Sequence, residues 1–333
     1  MPWDIAGHTA AVASLQSALV SRRTGHAYML MGRQGIGKAR LAKIFAQALL
    51  CAAPDIEKPC GTCHNCQRVE AGYHPDLHWL MPTGNSIGIN QVRSLHSTLA
   101  LKPYYSSRRV CVIDDADTLT EQAQNSLLKS LEEPAGGSVL ILVAHRPNAL
   151  LPTIRSRCQM MRLRPLRVEE LAEYLESQQG MSPKQAALAA ALSEGCPGLA
   201  MQLDISSVVK KRDQVAAWVE SLRNERQQGA LRIAAELDKE EDLTYMLDLL
   251  AVYWRDIWHR WLHPQFPVVN IDITSTVDKE AHAWGATAGK ALEAMQIARR
   301  QLQQNANRRL VLDAMLMNMQ RGTTDDIGSR SSL

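Results

Sequence analysis

Long apolar runs are missing from this sequence. No stretch of its 333 residues approaches the roughly 18 to 20 apolar residues that a membrane-spanning helix needs, which excludes a transmembrane reading. Met1 to Ile5 lack the basic region and apolar stretch of a secretory leader, so a cytoplasmic location is expected. Strong charge of either sign is also missing. With 37 Lys and Arg against 34 Asp and Glu, the net charge of +3 makes no case for a nucleic-acid partner, which would have to come from local clusters. No internal repeat is present. What remains is an ordinary globular composition, 46% hydrophobic and 21% charged, in a chain long enough for two or three domains.

Short apolar runs alternate with helical patterns in the first half, the order that gives a parallel sheet covered by helices. The strands are expected at Ala27 to Met31, Leu77 to Met81, Arg109 to Ile113, Val139 to Ala144 and Met160 to Leu163. Helical spacing is present over Leu41 to Leu50, around Gln91 to Leu101 and over Glu121 to Glu133. Thr118 with Glu121 is a candidate capping box for the last of these, and Pro134 its stop. Beyond Pro165 strand patterns fade, apart from an ambiguous run at Val268 to Ile273. Helices are expected at Val168 to Gln178, Pro183 to Leu192, near Leu199, from Ile205 onward, over Leu243 to Leu262 and over Arg308 to Met319. The polar tail from Arg321 is expected to be disordered.

The run Gly32-Arg33-Gln34-Gly35-Ile36-Gly37-Lys38-Ala39 follows a strand pattern and opens a helical one. In that setting glycines let backbone amides converge on phosphates at a helix N-terminus, and a lysine reaches the terminal phosphates. Gly32, Gly35, Gly37 and Lys38 are therefore candidate ligands for ATP or ADP. Ala39 stands where a Ser or Thr hydroxyl usually helps to hold Mg²⁺. At the end of the strand Arg109 to Ile113, Asp114 is the candidate metal-side carboxylate, and Asp115 stands where a hydrolysing enzyme has the longer Glu that orients attacking water; the alternative is that Asp115 and Asp117 only shape a βα turn and cap the next helix. A displacement of about 1 Å there can cost on the order of 100-fold in rate.

Four of the seven cysteines fall in one segment. Cys60, Cys63 and Cys66 are spaced by pairs of residues, and Cys51 precedes them. Four thiolates so close together can close a tetrahedral structural zinc site, with His64 or His74 as the substitute if Cys51 is only a core thiol. Zinc would then pin an insertion too small for a core of its own. Basic residues cluster at Arg155, Arg157, Arg162, Arg164 and Arg167, at Arg22-Arg23 and at Arg108-Arg109. None is interleaved with aromatics, so stacking on single strands is not indicated. Tyr253, Trp254, Trp258 and Trp261 are expected in the core or at a subunit interface.

The cysteine cluster after a phosphate-loop helix, the run Asn125-Ser126-Leu127-Leu128-Lys129-Ser130-Leu131-Glu132-Glu133-Pro134 and the triplet Ser156-Arg157-Cys158 together resemble the bacterial clamp-loader subunits, the AAA+ family that includes the delta-prime and gamma/tau subunits of DNA polymerase III. The resemblance implies an α/β AAA+ P-loop domain over residues 1–165 with a zinc insertion at about 51–66. It further implies a small helical lid at 166–204, an all-α collar at 205–320 and a tail at 321–333. In the motor subunits of that family a Thr follows the loop lysine, a Glu follows the acidic Asp and an Arg in the lid contacts nucleotide. Ala39, Asp115 and Gly198 hold those positions here, a decay similar to that of the delta-prime type, so no intrinsic ATPase is expected. The intact triplet implies that Arg157 acts as an arginine finger in the ATP site of a neighbouring subunit. The expected partners are gamma/tau-type and delta-type subunits in a hetero-oligomeric ring, with the sliding clamp and primer-template DNA reached through the complex. The alternatives are a motor subunit with unusual Mg²⁺ ligands and a zinc-dependent DNA-binding or recombination accessory protein.

Overall fold

The apolar runs of the first half are continuous because the strands they form are covered on both faces. In the computed structural model, which describes residues 3–324, α1 (Thr9–Val20) leads into β1 (Ala27–Met31), α2 (Lys38–Leu50) and α3 (His64–Glu70). β2 (Leu77–Leu80), α4 (Ile89–Leu99), β3 (Arg109–Ile113), α5 (Glu121–Glu132) and β4 (Ser138–Ala144) follow, then α6 (Pro152–Arg155) and β5 (Gln159–Arg162). The strands make one all-parallel sheet in the order β2-β3-β4-β1-β5. Successive side chains point to opposite faces. Val110, Val112, Val139, Ile141 and Val143 pack with Leu41 and Phe45 on one side, and Cys111, Ile113, Leu140 and Leu142 pack with Val92, Leu95 and Leu127 on the other.

This strand order decides where the candidate residues fall. The chain leaves β1 for the far edge at β2, returns through β3 and β4, and crosses to β5 on the other side of β1. All the strands are parallel, so the segments after β1, β3 and β4 lie at one edge of the sheet, the usual ligand-binding edge of α/β folds. The segments that precede the strands lie at the opposite edge.

The helix starting at Glu121 is capped by Thr120, whose hydroxyl accepts from the Ala123 amide. Thr118 sits instead in the 3-10 turn Ala116–Thr118 and donates to the Asp115 carbonyl, so the expected Thr118–Glu121 box does not form. Val268 to Ile273 is not a strand either; it holds the single 3-10 turn Ile271–Ile273.

The remaining helices are α7 (Val168–Gln179), α8 (Pro183–Leu192), α9 (Pro197–Ala200), α10 (Ile205–Asn224), α11 (Arg226–Lys239), α12 (Leu243–Leu262), α13 (Thr274–Trp284), α14 (Thr287–Gln303) and α15 (Arg308–Thr324). The chain divides into two compact units. One holds the sheet, the chain up to Tyr174 and Ser193–Met201; the other holds Leu175–Leu192 and the chain from Gln202 onward. Residues 166–204 are thus shared between the two. The second unit is helical, with a core of Trp218, Leu237, Met246, Tyr253, Trp254, Trp284, Met295 and Leu316. Trp254 and Trp284 meet edge to face at 4.8 Å, whereas Trp261 is exposed. The tail beyond Thr324, expected to be disordered, lies outside the described residues. No helix among the described residues is long and apolar enough to cross a membrane.

Candidate functional site

The glycine loop is built as its sequence requires. Gly35 and Gly37 adopt φ of 70° and 101°, left-handed conformations that glycine enters without steric penalty, and Gly37 starts α2. Lys38 is buried at the first position of that helix. Its ammonium is turned back into its own loop and donates to the Gly32 carbonyl at 2.9 Å, the Arg33 carbonyl at 2.7 Å and Nδ1 of His145 at 2.8 Å. An ammonium has three N–H donors and no acceptor. All three are therefore engaged, and Nδ1 of His145 must accept. The proton of the neutral ring then resides on Nε2, which donates to Asp115 Oδ1 at 2.6 Å. Burial pushes the Lys38 ammonium below the usual lysine range against the pull of Asp117, Asp114 and Asp115.

Three acidic residues close the network from the β3 side. Asp114 accepts the Asp115 amide at 3.1 Å, and burial raises its carboxyl above the usual range, an effect this amide opposes and the neighbouring Asp115 charge reinforces. Asp115 takes a left-handed φ of 47°, which a short polar side chain tolerates better than most. Asp117 accepts the His145 amide at 2.9 Å and pairs with Arg146 at 3.3 Å. Burial works against the Asp117 charge, and these two partners outweigh it to hold the carboxyl below its ordinary value.

A helical turn from later in the chain covers the loop. The Gly198 amide donates to the Gly35 carbonyl at 2.7 Å, and a Cβ on Gly198 would lie 2.8 Å from that same oxygen. The two glycines permit this close backbone approach, and Leu199 lies against Gly35. Arg33 and Glu194 pair beside them at 2.5 Å. Where the resemblance implies a nucleotide-contacting arginine in motor subunits, this chain presents Gly198 and the backbone of α9.

Arg157 lies elsewhere. It lies two residues before β5 and so sits at the sheet edge opposite the glycine loop. With β1 five residues long, about 15 Å separates the two edges. Its guanidinium pairs with Glu132 at the end of α5 at 2.8 Å and donates to the Thr153 carbonyl at 3.1 Å, with its side chain 37% exposed. Arg155, in the same basic run, bonds Asn148 at 2.9 Å.

The four cysteines come together at that same edge, below the C-terminus of α2. Their sulfurs lie within 4.8 Å of one another. A tetrahedron with zinc–sulfur bonds of about 2.3 Å has edges of about 3.8 Å. The separations Cys51–Cys60, Cys51–Cys63 and Cys60–Cys66 are 3.6, 3.9 and 3.9 Å. Amides also point at the sulfurs, from Cys60 to Cys51, from Cys63 to Cys60 and from Cys66 to Cys63, each at 3.4 Å. Such bonds stabilise thiolates and orient them. For Cys60 they outweigh burial and pull the thiol down to about 6, and Cys63 is lowered too, whereas burial pushes the Cys51 and Cys66 thiols up. The donor set, its spacing and its amides fit a closed four-thiolate metal site. His64 is exposed on α3 and His74 is spent on the Asp76 amide at 3.1 Å, so neither joins the cluster.

His145 and Glu132, the partners of Lys38 and Arg157, were not among the residues singled out as ligands from sequence. His145 carries a local signal, its place directly after the central strand β4. Glu132 carries only its place in the Leu-Glu-Glu-Pro run.

Comparison with known proteins adds the family. The model of the family described as "DNA polymerase III, delta subunit" matches residues 7–167. The chain is similar to DNA polymerase III subunit delta' of Pseudomonas aeruginosa, with 33% identity over 318 residues, 91% of this chain and 95% of that one. To subunit delta' of Bacillus subtilis it is 28% identical over 313 residues, 92% and 94% of the two chains. Similarity to DNA polymerase III subunit tau of Bacillus subtilis, 33% over 156 residues, covers 47% of this chain and 28% of that one.

Proposed function

The chain belongs to the DNA polymerase III subunit delta' family, and from that premise we propose that it is a non-motor subunit of the clamp loader that lends Arg157 to the ATP site of a neighbouring subunit. One observation carries the reading: Arg157 stands at the sheet edge opposite the chain's own phosphate loop. It can serve a nucleotide only if another chain brings one. Guanidinium suits that work because its planar fork keeps its charge and pairs phosphoryl oxygens in fixed geometry. The chain's own loop supports the same division of labour. Ala39 offers no hydroxyl, Lys38 is bound internally, Asp115 is held by His145, and α9 covers Gly35.

In this reading Cys51, Cys60, Cys63 and Cys66 hold a structural zinc ion that fixes residues 51–66, with no open coordination position for chemistry. Residues 166–204 act as a lid and 205–320 as the collar of a cytoplasmic ring with gamma/tau-type and delta-type subunits. Through that ring the chain takes part in loading the sliding clamp on primed DNA.

The test is the assembled loader carrying Arg157→Ala. ATP turnover at the neighbouring site should fall by about a thousandfold, with assembly on size exclusion unchanged; undiminished turnover would sink the assignment. Metal analysis checks the zinc separately. Close to one equivalent is expected in the wild-type chain and little in Cys63→Ser, and a wild-type chain without zinc overturns that part.

A further inference from the structure

Three tyrosines of the described residues are exposed, Tyr73 at 66%, Tyr104 at 75% and Tyr105 at 54%, and each is tied to the surroundings of one arginine. The Arg68 guanidinium lies over the Tyr105 ring, 4.3 Å from its centroid. Tyr104 packs edge to face on Tyr105 at 4.6 Å. The Tyr73 amide donates to the Arg68 carbonyl at 3.1 Å. Aromatic rings in water forgo a large burial gain, so the exposed Tyr104–Tyr105 pair under Arg68 is a feature to be explained.

The rings are displayed on a fixed support. Asp76 is fully buried, and its carboxylate accepts the consecutive amides of Tyr104, Tyr105 and Ser106 at 2.6, 2.8 and 2.9 Å. Arg109 lies 3.7 Å from the same carboxylate and donates to the Lys102 carbonyl at 2.8 Å. Burial would raise the Asp76 carboxyl, and the three amides overcome it and hold the charge. The segment also rests on the thiol-bearing module, through Asn65, which bonds the Leu50 carbonyl at 2.8 Å and Ser106 at 3.4 Å.

The acidic residue beside Arg68 on α3, Glu70, is already paired, with Lys43 at 3.0 Å and Arg40 at 3.6 Å. Arg68 makes no ion pair among the described residues, Lys102 is exposed, and Arg108 bonds the Thr24 hydroxyl. The one carboxylate of the segment's anchor, Asp76, is buried and taken up by three amides and Arg109. An exposed tyrosine pair with a guanidinium over one ring, and an exposed Lys102 two residues before it, suits a single-stranded nucleic acid, whose bases stack and whose phosphates pair with cations. A polypeptide partner would find no unpaired acidic group in this patch for its own cations. We propose that Tyr104, Tyr105 and Arg68 form a stacking site for single-stranded nucleic acid, at the sheet edge away from the glycine loop.

Fluorescence anisotropy with a labelled fifteen-residue oligo-dT and the full chain at low salt tests this, with an oligo-rU arm to separate DNA from RNA. Tyr104→Ala/Tyr105→Ala should weaken binding roughly tenfold or more, and Tyr104→Phe/Tyr105→Phe should retain it, because the stacking faces persist. Arg68→Ala should weaken binding and flatten its salt dependence. Melting temperatures unchanged across the set would show that the folds are intact. Failure of the wild-type chain to bind either oligonucleotide overturns the proposal, as does equal binding by the double alanine variant. Loss of a subunit contact in that variant, without loss of oligonucleotide binding, would assign the rings to a protein partner instead.

Discussion

The two edges of one sheet treat their positive charge in opposite ways. At the edge that follows β1, Lys38 is buried and every donor it has is spent on Gly32, Arg33 and His145. At the edge that precedes β5, Arg157 is partly exposed and has one carboxylate partner, itself half in solvent. A charge bound on all sides is a structural element; a charge with one solvated partner can exchange it for another anion. Under the proposed role, the same fold would retire its own phosphate loop while leaving an arginine ready for a neighbour. What separates the two cations is the set of groups around them.

The largest expected effect comes from setting the two cations against each other in the assembled loader. Beside the roughly thousandfold loss for Arg157→Ala, Lys38→Ala should leave phosphate release within about twofold, since a residue bound to its own loop contributes nothing to the neighbour's transition state. A comparable loss for Lys38→Ala erases the distinction between the edges. The next effect is structural. Gly198→Ala places a methyl 2.8 Å from the Gly35 carbonyl oxygen, a clash with the Gly35 backbone. It should cost about 1 to 3 kcal/mol and lower the melting transition of the sheet-bearing unit by several degrees in calorimetry. If it costs nothing, α9 is not seated on the loop, and Lys38 is less enclosed than its bonds indicate.

A smaller effect fixes the sign of the Lys38 environment. Burial holds this ammonium below the usual lysine value in the folded chain, so between the folded and unfolded values the unfolded chain carries more protons. Stability relative to Lys38→Met should therefore rise with pH as the folded value is passed and level off above the unfolded one. Thermal melts of both chains between pH 8 and 10.5 measure it, and a falling difference would show that the three aspartates dominate.

What the sequence made legible follows the range of the interactions involved. β1, β3 and β4 read correctly because burial on both faces leaves a continuous apolar run in the chain itself. The glycine loop and the cysteines are equally local. α1 gave no such signal: its left-handed N-cap His8 makes no side-chain cap, and it buries only Leu15 and Leu19. α3 was hidden for another reason, since Cys63 is at once a member of the thiol cluster and the N-cap that accepts from the Cys66 amide. The closure of the loop was not legible, because it depends on His145 and Gly198 arriving from far along the chain. The tyrosine patch was missed in the same way: nothing in Tyr104-Tyr105 tells that Asp76 will gather its amides or that Arg68 will lie above it.

The smallest expected effect bears on how loosely Arg157 is held. Its bond to Glu132 is short, at 2.8 Å, but the two side chains are 37% and 51% exposed, so solvent screens the pair and it contributes about 0 to 1 kcal/mol. Glu132→Gln should therefore leave the melting temperature within a degree or two. It should change the neighbour's ATP turnover only a few-fold, and upward, because the carboxylate competes with phosphoryl oxygens for the same guanidinium. A fall approaching that of Arg157→Ala would mean that Glu132 and Arg157 act as one unit. Arg157 would then be a positioned cation much as Lys38 is, and its exposure would no longer explain why one edge serves a neighbour and the other does not.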